Sequence, residues 1–329
     1  MTLPKIGISL GDPGGIGPEV TLKALASRNL LPKAQYVLFG SSLIVQEEKK
    51  SLSSTLNVQA LKKLKSTSSP WLSLVEVKNP LSSLQKGSPS KENGEASFHF
   101  FQEAVKAAQK GNIQSLVTAP ISKKSWELAG LKWRGHTDYL RRIYPQAIMS
   151  FWSSNIKVAL FSSHLPLKKA LEKIKKKNLL DFFLSVHQCL ERIQPGKYHL
   201  LVAGLNPHAG EEGFLGSEET QEIIPAVKKA QEKGIKISGP YAPDVIFRES
   251  LNKPDEIVIA LYHDQGLIPF KLEAFEKGVN LTLGLPFVRT SPDHGTAFDI
   301  AGRGKANPQS MIEALNLAYD LSSSFRPTS

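Results

Sequence analysis

Short apolar runs alternate with helical patterns along almost the whole of this sequence. The run KIGISL precedes PEVTLKALAS, KVALFSSH precedes LKKALEKIKKK, and YHLLVAG precedes SEETQEIIPAVKKAQEKG. This alternation is typical of βαβ units around a largely parallel sheet. Because the runs are continuously apolar, helices are expected to cover both faces of the sheet. The sequence therefore predicts an α/β fold.

Two stretches interrupt this alternation. Residues 51–69 are rich in Ser, Lys and Thr, and residues 78–94 carry Pro, Gly and Ser without periodicity, so both are predicted to be surface loops. The 329 residues are enough for one large domain or two of ordinary size. No low-complexity linker marks a domain boundary. If there are two domains, the chain is therefore expected to cross between them more than once.

Composition excludes several classes of protein. With 41% hydrophobic residues the chain can bury a core, and its single cysteine, Cys189, is expected to be a small buried side chain. No run approaches the roughly 20 apolar residues of a membrane span, and no signal peptide is recognisable, so a cytoplasmic location is expected. The net charge of +11 is dispersed. We expect no nucleic-acid partner and instead a small anionic substrate.

A glycine-rich loop follows the first predicted strand in ISLGDPGGIGPEV. Its glycines, Gly11, Gly14, Gly15 and Gly17, do not have the G-x-G-x-x-G spacing of a dinucleotide fingerprint. Pro18 and Glu19 suit the first turn of a helix. We predict a tight strand-to-helix turn and no ordinary Rossmann site.

Three histidines follow apolar runs where each predicted strand ends. His164 ends VALFSSH, His208 follows LLVAGLNP, and His263 follows IVIALY. Ligands bind at the carboxyl ends of parallel strands, and neutral imidazole is a common ligand of transition metals. Three imidazoles would leave an open coordination position for a substrate. The alternative is that the three histidines occupy separate turns.

Two further histidines lie in polar motifs. His136 is in GHTD, which predicts a helix start with His136 or Thr137 at the cap and Asp138 in the first turn. His294 lies in a glycine-containing loop, SPDHGTAFDIAG. After His263, Gly266 is predicted to let the chain turn sharply.

The order of these motifs resembles a known family. GDPGGIGPE, TAPISK, GHTDYL, SSHLPL, LNPHAGE, YAPD, YHDQGLIPFK, GVNLTLGLPFVRTSPDHGTAFDIAG and ANPQSMIEAL occur together. They resemble the 4-hydroxythreonine-4-phosphate dehydrogenase family, over residues of about 5 to 320. Residues 51–94 match weakly.

The resemblance implies a homodimer of subunits with two α/β/α domains, similar in fold to isocitrate and isopropylmalate dehydrogenases. It places residues 1–128 and about 285–329 in the first domain and residues 129–284 in the second. The active site would lie in the cleft between the domains, at the subunit interface.

The resemblance also implies roles for individual residues. A divalent metal (zinc, magnesium, manganese or cobalt) would be held by His164, His208 and His263. The catalytic residues would be His136, Lys271 and Asp244. On chemical grounds, the carboxylates of Asp244 and Asp264 are expected to orient a ligand imidazole or relay a proton. Substrate contacts are expected from His136, Thr137, Lys271, Asn280 and Arg289. NAD or NADP contacts are expected from His294, Gly295, Asp299 and Asn307.

The activity implied is NAD-dependent oxidation of 4-phosphohydroxy-L-threonine in pyridoxine 5'-phosphate biosynthesis. The product, 2-amino-3-oxo-4-phosphooxybutanoate, would decarboxylate to 3-amino-2-oxopropyl phosphate. One alternative is a dehydrogenase of the same family that acts on 4-phospho-D-threonate or 4-phospho-D-erythronate. An alternative of another class is a phosphate acyltransferase on a related fold, which would need neither the three histidines nor a nicotinamide.

Overall fold

A computed structural model describes residues 3–61, 64 and 70–326. The strands are β1 (Lys5–Ser9), β2 (Gln35–Gly40), β3 (Gln59–Leu61), β4 (Leu72–Glu76), β5 (Ser115–Thr118), β6 (Ile148–Trp152), β7 (Lys157–Leu160), β8 (His199–Ala203), β9 (Ile237–Tyr241), β10 (Glu256–Ala260), β11 (Val279–Leu283) and β12 (Val288–Pro292). The helices are α1 (Gly17–Ala26), α2 (Ser42–Ser51), α3 (Lys91–Gln109), α4 (Lys123–Leu128), α5 (His136–Ile143), α6 (Leu167–Glu172), α7 (Lys176–Ile193), α8 (Ile224–Glu232), α9 (Ile246–Glu249), α10 (His263–Ala274) and α11 (Gln309–Ser324).

The chain divides into two compact units. Unit 1 comprises Met1–Pro145 and Leu285–Ser329, and unit 2 comprises Gln146–Gly284. The predicted domains differ from these units at the first boundary, because residues 129–145 group with unit 1. The physical reason lies in α5, where His136 packs against Phe101 and Trp126 of unit 1, with ring centres 4.4 and 5.6 Å apart.

Unit 1 contains a parallel arrangement of strands in the order β3-β4-β2-β1-β5-β12. Every pairing described among them is parallel. All five residues of β1 and all five of β12 are buried. Strands buried along their whole length have helices on both faces, as the continuous apolar runs of the sequence predicted.

Unit 2 contains strands in the order β11-β6-β7-β10-β8-β9. Here β7, β10, β8 and β9 pair in parallel, whereas β6 is antiparallel to both of its neighbours. The predicted fold class, α/β with a largely parallel sheet, is confirmed. The antiparallel strand β6 was not predicted.

The core of unit 2 lies beneath the ends of the strands that precede the histidines. Val158 and Leu160 of β7, Val258 of β10, and Leu267 and Phe270 of α10 belong to one buried apolar cluster. This packing holds the first turns of α10 firmly against the strands. Side chains carried by rigid elements are placed more accurately than those on free loops.

Other local predictions have mixed outcomes. Cys189 is buried in α7, where burial raises the pKa of its thiol to about 11, so it is the small buried side chain that was expected. The predicted loop over residues 51–69 contains the short strand β3, and residues 62, 63 and 65–69 of it lie outside the described residues. Among the helices described, none has the length and apolar character needed to cross a membrane.

Candidate active site

Three adjacent parallel strands present the three histidines of the predicted metal site. Strand β10 lies between β7 and β8 and is parallel to both. His164 follows the end of β7, His263 follows β10, and His208 follows β8. All three therefore come after the carboxyl ends of neighbouring strands, which is the edge where open α/β sheets bind ligands.

His164 and His263 are neighbours. Their ring centres are 5.7 Å apart, and both line a cavity of about 290 Å³ together with Ser163, Tyr262 and Asp264. Two imidazoles that share a tetrahedral zinc ion, with bonds of about 2.0 Å, have ring centres roughly 5 Å apart. The spacing of these two rings therefore fits a shared divalent cation.

Asp264 is placed to orient the imidazole of His263. Its Oδ1 lies 2.6 Å from Nδ1 of His263. A carboxylate on one ring nitrogen fixes the tautomer, because Nδ1 then carries the proton and Nε2 keeps its lone pair for a metal. This contact is compatible with an orienting role for Asp264, which stays a prediction. Asp244 lies in an exposed turn after β9.

His208 lies apart from this pair in a turn of its own. In the part of the chain that the structure describes, no group of three or more His, Cys, Asp or Glu side chains is arranged to hold a metal. The exposed side chain of His208 belongs to the turn Pro207–Gly213, whose residues 208–212 all have positive φ. The structure thus brings together two of the three predicted ligands, and the complete metal site stays a prediction.

Gly266 has a role different from the predicted one. It lies inside α10 without a positive φ, so it makes no sharp turn. A Cβ at this position would lie 2.8 Å from the Cβ of Ala260 and 2.8 Å from Cδ2 of Leu160. Glycine is required here because α10 packs directly on β7 and β10, and this close packing fixes the helix that begins with His263.

Lys271 and Asn280 are the other predicted substrate residues of unit 2. Lys271 lies two turns after His263 on α10 and is half-buried. Asn280 is half-buried on β11, opposite Phe151 of β6. Both lie on regular elements, which limits the movement of their side chains.

In unit 1 the predicted substrate residues His136 and Arg289 are in contact. Arg289 is only 2% exposed. Its Nη2 donates to Oγ1 of Thr118 at 2.5 Å and lies 3.3 Å from Nδ1 of His136. Thr137 follows on the first turn of α5 and is half-buried. The structure thus joins residues 153 positions apart in the sequence.

The protonation of His136 follows from this contact. A guanidinium has only donors, so Nδ1 of His136 accepts and the proton of the neutral ring is on Nε2. Burial, and then the charge of Arg289, hold the pKa of His136 well below its usual value. Burial lowers the pKa of Arg289 to about 9. At neutral pH the pair is a charged donor beside a neutral N–H donor, a combination suited to an anion.

The predicted cofactor residues lie in the segment that follows β12. Nδ1 of His294 lies 3.0 Å from the carbonyl of Gly295, so Nδ1 donates and Nε2 is left as an acceptor. Burial lowers the pKa of His294, which keeps the ring neutral. Asp299 is exposed, and Oδ1 of Asn307 accepts from the backbone N–H of Gln309 at the start of α11.

The glycine-rich loop is a packing element that supports this segment. A Cβ on Gly15 would lie 2.8 Å from both Cβ and O of Thr296, and the N–H of Ile16 donates to that carbonyl at 2.9 Å. Gly11, with a φ of 72°, brings the loop against Pro120. Close approach of backbone explains the glycines at these two positions.

An ion pair between buried Glu19 and half-buried Lys23 extends this support to the Asn307 segment. Glu19 of α1 accepts from Nζ of Lys23 and from the N–H of Ala306, both at 2.8 Å. Lys23 in turn donates to the carbonyls of Gly304 and Ala306 at 2.8 Å. Sequence reasoning placed Glu19 only as a helix-start residue. The i,i+4 spacing of Glu19 and Lys23 could have indicated this ion pair. It could not have indicated that the pair binds the backbone of residues 304–306.

Comparisons with known proteins agree with these features. A family model described as pyridoxal phosphate biosynthetic protein PdxA matches residues 32–318. A protein of Aquifex aeolicus (strain VF5) named 4-hydroxythreonine-4-phosphate dehydrogenase is 42% identical over 322 residues, which are 96% of this chain and 98% of that protein. A protein of Clostridium botulinum (strain Hall) named as a D-threonate 4-phosphate dehydrogenase is 34% identical over 328 residues, 98% of each chain.

Solved structures show the same relationship. The crystal structure of a 4-hydroxythreonine-4-phosphate dehydrogenase from Burkholderia phymatum is similar with a TM-score of 0.85 and 31% identity, over 99% of this chain and 100% of that chain. The resemblance predicted from the sequence motifs is therefore confirmed. The chain belongs to the PdxA family of pyridoxal phosphate biosynthetic proteins.

Proposed function

We propose that this protein is an NAD-dependent dehydrogenase that oxidises 4-phosphohydroxy-L-threonine to 2-amino-3-oxo-4-phosphooxybutanoate. The β-keto acid then loses CO₂ to give 3-amino-2-oxopropyl phosphate, a precursor of pyridoxine 5'-phosphate. The observation that carries the proposal is the buried pair of Arg289 and neutral His136, an anion receptor in a chain 42% identical to a relative of that name. A cytoplasmic location stays a prediction.

Arg289 and His136 are proposed to bind the charged end of the substrate. The guanidinium can grip a phosphate or carboxylate at two points. Nε2 of His136 has no hydrogen-bond partner within the described residues and carries a proton, so it can donate a second contact. We therefore assign His136 a binding role as a donor, since its one acceptor nitrogen faces Arg289. Thr137 is proposed to add its hydroxyl.

Lys271 is proposed to act on the hydroxyl that is oxidised. Its ammonium can donate a hydrogen bond to that oxygen. In its neutral amine form the side chain can accept the hydroxyl proton and pass it to water as the hydride leaves the carbon for the nicotinamide. Asn280 would fix the orientation of the same part of the substrate. His294, Gly295, Asp299 and Asn307 are proposed to hold NAD or NADP so that the nicotinamide ring can accept the hydride.

His164, His208 and His263 are proposed to hold one divalent cation. What the cation supplies when bound is Lewis acidity, which lowers the pKa of the substrate hydroxyl and favours negative charge on its oxygen. Three imidazoles favour zinc or cobalt, with manganese next, over magnesium. Asp264 keeps His263 in the tautomer that can bind the metal, and Asp244 is proposed to relay a proton.

A homodimer is proposed from the exposed face of α10. Ile268, Leu272 and Phe275 lie on one helix face at spacings of four and three residues and are 59%, 83% and 74% exposed. Apolar side chains in such a row normally pack against a partner. Because α10 begins with His263, an interface on this face would adjoin the metal ligands, which supports an active site at the subunit interface.

The alternative substrate is 4-phospho-D-threonate or 4-phospho-D-erythronate. It is supported by the relative named as a D-threonate 4-phosphate dehydrogenase, at 34% identity. 4-Phospho-D-threonate carries a hydroxyl where 4-phosphohydroxy-L-threonine carries its amine. The two substrates therefore differ in the group at that one carbon. A phosphate acyltransferase would make no use of the paired imidazoles.

The proposal is tested by NADH formation with each substrate. Purified protein is given NAD, and the kcat/KM for 4-phosphohydroxy-L-threonine is compared with that for 4-phospho-D-threonate and 4-phospho-D-erythronate. We expect preference for the amino acid of at least roughly 10²-fold, because a site built for an amine leaves buried groups unpaired with the hydroxyl. A preference for threonate or erythronate would establish the alternative.

A further inference from the structure

The turn that carries His208 has an unusual backbone. His208, Ala209, Glu211 and Glu212 have φ between 43° and 56°, in the left-handed region that residues with side chains avoid. Only Gly210 within residues 208–212 is a glycine. A run of this kind persists only when surrounding groups hold it.

The side chain of Glu219 supplies that support. It is 1% exposed. Its Oε1 accepts from the backbone N–H groups of Leu205 and Asn206, both at 2.7 Å, and its Oε2 accepts from Nδ2 of Asn206 at 2.8 Å. One carboxylate thus fixes the two residues that lead from β8 into the turn.

The same carboxylate contacts the turn itself. A Cβ on Gly210 would lie 2.7 Å from Oε2 of Glu219, so the backbone of Gly210 lies directly against the carboxylate. Glu219 opens the π-helical turn Glu219–Ile223, which continues into α8. The turn is therefore anchored to a regular helix of unit 2.

We propose that Glu219 is a positioning residue for His208. It holds the 205–213 segment, and with it the imidazole of His208, in a single conformation, and so lowers the cost of bringing that imidazole to a divalent cation, without itself contacting the cation or the substrate. This inference rests on the proposed role of His208 as a metal ligand. Part of the metal affinity would then depend on a buried glutamate that lies 11 positions after His208 in the sequence.

The test is cobalt binding by full-length protein from which metal has been removed. In Glu219→Gln an amide NH₂ replaces one of the two carboxylate oxygens. In either position it would face an N–H donor of Leu205 or Asn206, so at least one of the hydrogen bonds that hold the turn is lost. We expect Co²⁺ to bind roughly 10- to 100-fold more weakly, the range found when residues that orient metal ligands are changed. Competition with a chromophoric chelator gives the affinity, and the visible absorption of bound Co²⁺ reports the ligand geometry.

Glu218→Gln is the matched control. Glu218 is adjacent, exposed, and bonded to the same Nδ2 of Asn206 at 2.9 Å, but it contacts no backbone N–H of Leu205 or Asn206. Its cobalt affinity should stay within about twofold of the wild-type value. Amide hydrogen exchange at Leu205 and Asn206 should rise in Glu219→Gln and not in Glu218→Gln.

Three outcomes separate the two levels of the proposal. A lowered thermal midpoint with wild-type cobalt affinity in Glu219→Gln would overturn the positioning role and leave the metal site intact. Wild-type cobalt affinity in His208→Ala would overturn both the ligand role and this inference. Weakened binding in His208→Ala and in Glu219→Gln, with Glu218→Gln unchanged, is the result we expect.

A second variant covers the case in which Glu219→Gln does not fold. Asn206→Ala keeps Glu219 and both backbone donors and removes only the bonds made by Nδ2. We expect cobalt to bind roughly three- to tenfold more weakly, since part of the support remains. Unchanged affinity in this folded variant would contradict the inference.

Discussion

At the scale of single residues, Arg289 combines burial with positive charge. Burial lowers its pKa to about 9, so the folded protein holds this charge at a cost that an anionic substrate would offset. The contacts with Thr118 and His136 keep the guanidinium in place before substrate arrives. Such a residue serves binding more than stability.

Arg289→Met should therefore separate stability from binding. We expect a free energy of unfolding that is unchanged or higher by about 1–3 kcal/mol, because an apolar side chain of similar length replaces a buried charge. The KM for the phosphorylated substrate should rise by roughly 10- to 100-fold, as expected for a lost charge-assisted contact. Thermal unfolding and initial rates measure the two effects. Arg248→Met, at an exposed position of α9, is the control and should change neither.

His136 should make the stability of the fold depend on pH. Its pKa in the folded state is well below 6.5, so between that lowered value and about 6.5 the unfolded chain binds a proton that the folded chain does not. Stability is therefore fully present above pH 6.5 and falls as the pH is lowered through this window. His294 and His199, whose pKa values are also lowered, add to the same decline.

Replacing the titrating ring tests this assignment. In His136→Gln the amide keeps a donor and an acceptor but does not titrate, so the loss of thermal midpoint between pH 7.5 and 5 should be smaller than in the wild type. His99→Gln, on an exposed position of α3, is the control and should show the wild-type slope. Equal slopes in all three proteins would contradict a neutral, buried His136.

At the scale of elements, the glycine-rich loop and α1 support the predicted cofactor segment. Gly15 lies against Thr296, and the Glu19–Lys23 pair holds Gly304 and Ala306. The loop follows the first strand, where a dinucleotide fingerprint would lie, and its close packing holds the backbone of that segment in place.

Gly15→Ala should disturb that support. Its Cβ would meet Thr296 at 2.8 Å, and the backbone atom among those contacts cannot move aside easily. We expect a loss of about 1–3 kcal/mol in the free energy of unfolding, typical of overpacking, together with weaker NAD binding. Chemical denaturation and equilibrium NAD titration measure the two. Gly295→Ala, whose Cβ would meet nothing within 4 Å, should leave stability unchanged.

Sequence periodicity predicted the elements that position the site, because apolar runs are local signals. The runs before His164, His208 and His263 became β7, β8 and β10, and their parallel pairing followed from the βα alternation. The antiparallel pairing of β6 could not be predicted from the sequence, because the direction of a strand depends on partners that are distant along the chain. Gly266 was predicted to lie in a sharp turn. The sequence alone does not distinguish a glycine needed for a turn from a glycine needed for close packing between a helix and a strand.

The site itself was predicted in its residue types and less well in its contacts. The pairing of Arg289 with His136 depends on β12 lying beside β5, a relation that no spacing in the sequence contains. The left-handed turn at His208 and its support by Glu219 were also missed. A buried glutamate within a polar stretch gives no periodic signal, and its partners are backbone N–H groups of any residue type.

At the scale of the whole molecule, the exposed apolar face of α10 predicts a second subunit. Leu272→Glu with Phe275→Glu places two carboxylates on that face, and like charges on both copies would oppose association. We expect the wild type to sediment as a dimer and this variant as a monomer at micromolar concentration. Leu128→Glu, on an exposed apolar residue of α4, should remain dimeric. A wild-type protein that sediments as a monomer would contradict the proposed interface.

The proposed reaction depends most on three imidazoles that act through one divalent cation. The direct measurement is NADH formation from 4-phosphohydroxy-L-threonine by metal-free protein and after addition of Zn²⁺, Co²⁺, Mn²⁺ or Mg²⁺, for the wild type and for His208→Ala. We predict that turnover needs the added metal, and that His208→Ala, with its fold intact by circular dichroism, loses at least roughly 100-fold in rate at any metal concentration. Near wild-type rates for the metal-free protein, or for His208→Ala, would contradict it.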